Sequence, residues 1–317
     1  MSTTLIDLAA VRAAAERIAK AIHRTPLETC AALDQRAGRN LYFKCEHLQK
    51  VGAFKFRGAC NAVFGLEEEQ ARSGVATHSS GNHAQALALA ARLRRIPAYV
   101  VMPSSASPVK RSAVEEYGGQ VRLCEPTLEA RETTARQVCE ETGATFIHPY
   151  NDPAIIAGQG TTALELLEQA PQLEAIVAPI GGGGLISGIG AVLRELAPHV
   201  RLIGAEPAGA DDAARSKAAG ELLLQTNPQT ICDGLLTSLG SLTWPFVRDT
   251  VERVETVTEQ EIVLAMRLAW QRAKLLIEPS SAAAVAVALR AFRHQPEIQH
   301  VGVVLSGGNV NLDQLPW

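Results

Sequence analysis

Along most of the chain, short runs of β-branched and other apolar residues alternate with longer stretches in which alanine and leucine recur at helical spacing. Runs of about four to eight apolar residues suit strands buried on both faces, and the stretches between them are long enough to carry crossover helices. Positions 74–77 read as a strand, 85–93 as a helix and 98–102 as the next strand. The alternation continues through 108–117, 121–124, 128–141 and 145–148, so the chain from 74 to about 148 reads as one small lobe. A second series runs from a strand at 175–180 through four glycines into a helix at 186–196 and a strand at 200–205. It closes with a helix at 281–292 and a strand at 300–305. The pattern predicts an α/β protein with mostly parallel open sheets and flanking helices.

Composition narrows the functional classes. With 317 residues, 47% of them hydrophobic and 20% charged, the chain can fold throughout as one domain or two packed lobes. A formal charge of -3, with Arg92, Arg94 and Arg95 as the densest basic cluster, argues against nucleic-acid or anionic-lipid partners. Six scattered cysteines without a CxxC pair suggest reduced thiols in a cytoplasm rather than disulfides or zinc. Asp7, Arg12, Glu16 and Arg17 among alanines give a helical N-terminal pattern unlike a signal peptide. No run of about 18 or more apolar residues exists to span a bilayer.

Four stretches carry candidate chemistry. Gly181, Gly182, Gly183 and Gly184 join a strand to a helix, where backbone N–H groups and the helix dipole converge on an anion. Such a loop suits a phosphate but does not name the ligand. Glu206, 22 residues beyond Gly184, keeps a dinucleotide open as a rival. Lys55 stands between Phe54 and Phe56 just after Gly52-Ala53, and an apolar setting disfavours its charged form and favours a nucleophilic amine. A solvated surface lysine is the plainer reading of that segment taken alone. Ser79-Ser80-Gly81-Asn82-His83 follows a strand and opens a helix, as a carboxylate-binding loop or a capped helix would. Ser306 ends the strand at 300–305, the edge where α/β folds bind ligands.

Taken together and in order, from His23-Arg24-Thr25-Pro26 to Ser306-Gly307-Gly308-Asn309, these motifs resemble the fold type II family of pyridoxal-phosphate enzymes. They are most similar to its serine racemase and serine/threonine dehydratase branch. The resemblance implies a two-lobed, tryptophan synthase β-like fold, with residues 1–73 and 148–317 as the large cofactor lobe and 74–147 as the small substrate-loop lobe. It implies that Lys55 bonds pyridoxal 5'-phosphate, with Phe54 beside the ring and Asn82 at its 3'-oxygen. Gly181 to Gly184 and Leu185 would hold the phosphate, Gly234 would join the cofactor site, and Ser306 would face the pyridine nitrogen. A neutral hydroxyl there does not keep that nitrogen protonated, which weakens the ring as an electron sink.

The same resemblance places the substrate on Ser79, Ser80, Gly81, Asn82, His83, Arg131 and Thr237, with Lys55 and Ser80 as catalytic groups on opposite faces. Glu206, Ala210 and Asp212 match a divalent-cation site, where hard oxygen ligands suit Mg²⁺, Mn²⁺ or Ca²⁺. The expected reaction is loss of water from a small β-hydroxy amino acid, inversion of its α-carbon, or both. Lys55-Phe56-Arg57-Gly58 differs from the Lys-Asp-Arg of cysteine synthases, which weakens a β-replacement reading. Val51 and Ala53 make the segment similar to fungal serine racemases and threo-3-hydroxyaspartate ammonia-lyases. Arg131 aligns with an arginine that meets a second carboxylate, which favours hydroxyaspartate. A homodimer is usual for the family. ATP stays open: Lys50, Gln85, Tyr117 and Asn309 are in place, but Cys30 and Ala31 stand where serines are expected.

Overall fold

The computed structural model describes residues 6–317, with ten strands among them. They are β1 (Leu27–Glu28), β2 (Asn40–Lys44), β3 (Val75–His78), β4 (Ala98–Pro103), β5 (Gln120–Cys124), β6 (Thr145–Phe146), β7 (Ala175–Pro179), β8 (Arg201–Pro207), β9 (Arg253–Val257) and β10 (His300–Val304). One sheet has six strands in the order β1-β2-β10-β7-β8-β9, and the other has four in the order β5-β4-β3-β6. All pairings are parallel except β1 with β2.

Every residue of β7 is buried, because helices cover both of its faces. Ala175 and Val177 pack in the layer that holds helix Pro279–Ala288, while Ile176 and Ala178 pack in the layer of helix Gly184–Leu196. Continuous apolar sequence rather than alternation follows from that arrangement. Register decides where the functional loops emerge. Val301 lies opposite both Leu41 and Ala175, so the segments after β2, β10 and β7 leave the sheet from the same edge.

The elements differ from the sequence pattern mainly at their ends. The strand expected at 145–148 stops at Phe146, because His148 Nδ1 accepts the amides of Tyr150 and Asn151 and turns the chain out of the ladder. The helix expected at 85–93 begins three residues earlier, at Asn82, and the helix expected at 281–292 spans Pro279–Ala288. Helix Pro153–Gln169 was not legible, because Gly158 and Gly160 interrupt its propensity pattern. Those glycines serve close crossings. A Cβ on Gly158 would sit 2.6 Å from the Cα of Gly58, and one on Gly188 would sit 2.9 Å from the Cα of Gly160.

Beneath that crossing lies a buried charge network. Arg57 donates from Nε and Nη2 to Glu46 at 2.7 and 2.8 Å, and from Nη1 and Nη2 to Glu165 at 2.7 and 2.8 Å. Lys44 donates to Glu165 at 2.6 Å, to the Thr25 carbonyl at 2.9 Å and to Gln169 at 2.9 Å. The side chains of Arg57, Glu46 and Lys44 are wholly buried. Removing one partner of such a pair leaves an uncompensated charge out of water, which typically costs about 3–5 kcal/mol. Arg57→Met is therefore expected to lower unfolding stability by about that much, read as a lower urea midpoint at unchanged slope.

Candidate active site

Lys55 opens helix Lys55–Phe64, and the approach to it is fixed by the end of β10. The Phe54 amide donates to the Ser306 carbonyl at 2.9 Å, and Ala53 forms a bridge with Gly307. Before them Val51 has φ 58° and Gly52 has φ 69°. A β-branched residue in the left-handed region costs of order 1–3 kcal/mol. Here Asn309 Nδ2 donates to the Val51 carbonyl at 2.8 Å and helps to hold that turn. The Lys55 side chain reaches the Pro149 carbonyl at 2.9 Å and lies 5.2 Å from the Phe54 ring centre. The chain as a whole stays half-buried, but its ammonium end is enclosed. Burial lowers its pKa to about 8, against the opposing pull of Glu278.

The glycine loop is shaped by its neighbours. A Cβ on Gly182 would collide with the Tyr150 ring, and one on Gly183, where φ is 87°, would stand 2.8 Å from Thr243 Oγ1. Thr243 also donates to the Gly182 carbonyl at 2.8 Å. Gly234 lies alongside, its carbonyl 2.9 Å from the position of a Gly181 Cβ. Helix Gly184–Leu196 has no side-chain cap, and Gly184 and Leu185 form its buried first turn. Side-chain-free backbone and an uncapped helix start are what a phosphate requires. Both Glu206 oxygens accept backbone amides, from Ala213 at 3.0 Å and Ala214 at 2.8 Å.

Across from Lys55, the loop Ser79 to His83 leaves the end of β3. Ser79, Ser80, Gly81 and Asn82 are partly exposed, whereas His83 is buried. Asn82 Nδ2 donates to Glu278 at 3.0 and 3.2 Å, and its Oδ1 accepts from Asn309 at 2.8 Å. One amide hydrogen is thus committed to Glu278 and the other is left for a ligand oxygen. Ser306 Oγ meets Ser281 Oγ at 3.1 Å, and Ser281 donates to the Gly307 carbonyl at 2.7 Å. The residues fit a ring-bearing phosphate: lysine, anion cradle and hydroxyl lie at one end of the large sheet, and the small sheet's β3 loop brings the Asn82 amide to them through Glu278 and Asn309.

Three further groups were missed in the sequence. Burial raises Glu278 to about 8, with Asp233 adding to the effect. His148 is lowered to about 4 by burial and then by His78 and Lys55. Tyr150 meets His148 edge-on at 4.5 Å, and burial raises the pKa of its phenol. The pair Phe146 and Tyr150 around His148 was the available signal, but nothing in the spacing ties it to Gly182. Arg131 is half-buried on helix Leu128–Thr142 and donates from Nε to its own Thr127 carbonyl at 3.3 Å. After burial itself, its charge is the next influence lowering His78, which places it on the histidine side of the site.

Glu206, Ala210 and Asp212 are all buried. Asp212 accepts the Leu239 amide at 2.9 Å. Burial raises Glu206 to about 8 and Asp212 to about 6. Among the described residues no group of three or more acidic, histidine or cysteine side chains is clustered for a metal. A cation there needs backbone oxygens as well as the two carboxylates.

The chain is a pyridoxal-phosphate dependent enzyme: the model of that family matches residues 18–307. Within the family it is 52% identical over 313 residues to a serine racemase of Arabidopsis thaliana, covering 98% of this chain and 95% of that one. It is also 52% identical over 308 residues to a beta-hydroxyaspartate dehydratase of Paracoccus denitrificans, covering 96% of each. The solved structure of maize serine racemase superposes with a TM-score of 0.96 at 47% identity, covering 98% of this chain and 95% of that one. The fold is therefore that of the fold type II enzymes.

A lysine whose ammonium is enclosed reacts as an amine at lower pH than a solvated one. Capture of pyridoxal 5'-phosphate by the apo protein, followed by stopped-flow absorbance, is expected to rise with pH around a midpoint near 8. Glu278→Gln should move the midpoint lower, because it removes the carboxylate that stabilises the ammonium. A midpoint at the ordinary 10.5 contradicts this account.

Proposed function

We propose that this enzyme acts on a small β-hydroxy amino acid, as a serine racemase and L-serine or L-threonine dehydratase. The observation that carries the reading is Lys55, an enclosed amine with a pKa near 8, set against the Pro149 carbonyl and on the same sheet edge as the glycine cradle. A serine racemase at 52% identity and the solved structure of a threonine deaminase at 42% identity support it. No helix among the described residues is long and apolar enough to cross a membrane. We assign the protein to the cytoplasm, as a homodimer of two-lobed subunits divided at residues 73 and 147.

Pyridoxal 5'-phosphate, when bound, supplies a ring that delocalises the electrons of the α-carbon–hydrogen bond. Gly181 to Gly184 and Leu185 hold its phosphate, Phe54 and Gly234 flank it, Asn82 and Ser306 address its polar ring atoms, and Lys55 anchors it. Ser79, Gly81, Asn82 and His83 grip the substrate carboxylate through the loop and its helix start. Lys55, released from its anchoring role, takes the α-proton. Departure of the β-hydroxyl then leads to an oxo acid and ammonia. Delivery of a proton by Ser80 from the other face inverts the α-carbon instead.

A second reading, threo-3-hydroxyaspartate ammonia-lyase, draws on Arg131. Its guanidinium can pair a second carboxylate bidentately, with Thr237 beside it. Assay of ammonia, oxo acid and D-amino acid from L-serine, L-threonine and both 3-hydroxyaspartates distinguishes the two. If none is turned over while cofactor is bound, both readings fall.

Two outcomes are expected. Ser80→Ala should abolish formation of D-serine while pyruvate formation from L-serine persists, because Lys55 alone completes the elimination. A mere helix-cap role would cost roughly 0.5–2 kcal/mol of stability and affect both products alike. Separately, we assign a divalent cation to Glu206, Asp212 and the Ala210 carbonyl. Mg²⁺ at about 100 times its Kd should stabilise the fold by about 2.7 kcal/mol, seen as a higher Tm that chelator reverses. A double variant, Glu206→Ala with Asp212→Ala, that keeps the full Mg²⁺ response removes the site.

A further inference from the structure

A serine hydroxyl has one proton to give, so a pair of buried hydroxyls can be read by asking which of them still has a proton free. Just past β10 two serines meet. Ser281 Oγ, wholly buried in the first turn of helix Pro279–Ala288, lies 3.1 Å from Ser306 Oγ. We propose that Ser281 is the positioning residue that makes the Ser306 hydroxyl a proton donor to the pyridine nitrogen of the cofactor. This rests on the reading of Ser306 as the group that meets that nitrogen.

The Ser281 hydroxyl is already committed. Its proton goes to the Gly307 carbonyl at 2.7 Å, and its oxygen accepts the Gly307 amide, also at 2.7 Å. At 3.1 Å the Ser306 oxygen is the more distant acceptor for that proton, and hydroxyl hydrogen bonds usually measure about 2.7–2.8 Å. Ser281 therefore has a lone pair to offer Ser306 and no proton. That leaves Ser306 as the donor of the pair, through a bond long enough to be exchanged for a better acceptor. Among the described residues no other side chain is hydrogen-bonded to the Ser306 hydroxyl.

The same contacts fix the backbone on which Ser306 stands. The peptide unit between Ser306 and Gly307 gives its carbonyl to the Phe54 amide at 2.9 Å and its N–H to Ser281. One peptide unit thus ties the residue before Lys55 to the start of helix Pro279–Ala288. The Glu278 amide also donates to the Gly307 carbonyl, at 3.0 Å, and with Ser281 it fills both lone pairs of that oxygen. In pyridoxal 5'-phosphate the carbon that a lysine bonds and the ring nitrogen lie across the ring from each other. The groups that meet them need a fixed separation, and Ser281 anchors the nitrogen end.

Charge decides which way the Ser306 proton points. Ser281 belongs to the N-terminal turn of a ten-residue helix, and the partial positive charge there opposes a second positive charge on the ring nitrogen. A neutral nitrogen presents a lone pair and calls for a donor, which is what Ser306 is left to be. Without the Ser281 hydroxyl, the Gly307 amide and carbonyl each lose a partner in a buried setting, where unmade hydrogen bonds are costly. The Ser306 hydroxyl, 3.1 Å from the vacated position, is then drawn to replace it and away from the ring.

The test reads the nitrogen itself, by NMR of holoenzyme reconstituted with pyridoxal 5'-phosphate that carries a heavy-nitrogen label in its ring. A pyridine nitrogen that accepts a hydrogen bond resonates upfield of a free one, and a protonated one resonates much further upfield. Wild-type enzyme is expected at the hydrogen-bonded position and Ser306→Ala at the free position. Ser281→Ala should lose most of the upfield shift although Ser306 is still present, and Ser281→Thr, which keeps the hydroxyl, should restore it. Ser281→Cys fills the same space with a poor hydrogen-bonding group, and the same loss is expected of it if the alanine variant does not take up cofactor. The full wild-type shift in Ser281→Ala or Ser281→Cys, or a protonated nitrogen in wild-type enzyme, overturns the proposal. A resonance that Ser306→Ala leaves unchanged instead overturns the placement of Ser306 at the ring, and the proposal falls with it.

Discussion

The position of Lys55 depends on a charge buried two residues further along its helix. Arg57 is enclosed between Glu46, from the segment after β2, and Glu165, from helix Pro153–Gln169. Its four hydrogen bonds to these two glutamates tie the lysine's helix to the large sheet on one side and to the long central helix on the other. Desolvation alone would lower the Arg57 pKa, and Glu46 and Glu165 more than offset it, so the guanidinium stays charged. A buried pair of this kind is weak as a source of net stability but strict about geometry, because each partner left alone is costly. The glycine crossings at Gly58 and Gly158 let the helices approach closely enough for those contacts.

Burial also sets the protonation of the site. Lys55 and Glu278 both fall near 8, the lysine from above and the carboxylate from below, because each charged form is poorly solvated. The histidines at 83 and 148 are neutral for the same reason. A single cause therefore supplies a reactive amine at moderate pH while keeping its neighbours from competing as cations. The price is a strained entry, with Val51 at φ 58° just before the lysine. That strain is held in place by Asn309, which also contacts Asn82, so the turn, the carboxylate loop and the end of β10 share one hydrogen-bonded hub.

The two sheets contribute unequal chemistry. The six-stranded sheet brings Lys55, the glycine loop, Ser306 and the buried acids Glu206 and Asp212 to one edge. The four-stranded sheet delivers the Ser79 to His83 loop from β3, with Arg131 on a helix that packs against it. The two share an apolar seam, where Ala86, Leu87 and Ala90 cluster with Phe56, Ala59 and Val63, and at the site they meet through polar pairs: Asn82 with Glu278, Asn82 with Asn309, and Lys110 with Asp233. Polar contacts of that sort are readily exchanged for water or ligand, as access to a site between two lobes requires.

By itself the sequence determined the α/β class, the alternation of strands and helices, and the local motifs at Lys55, Ser79 to His83, Gly181 to Gly184 and Ser306. Each is written in consecutive residues, where β-branched runs, glycine turns and helix starts impose their own backbone geometry. It left open whether Glu206 served a ribose or a cation, and it concealed the helix at Pro153–Gln169 because glycines needed for packing look like helix breakers. Tertiary structure alone decided that Arg57 meets Glu165, that Asn82 meets Glu278, and that Tyr150 covers Gly182. Those partners lie 108 and 196 residues apart for the two hydrogen-bonded pairs. No local propensity encodes such meetings, since they exist only after parallel strands have stacked in register and taken the charges out of water.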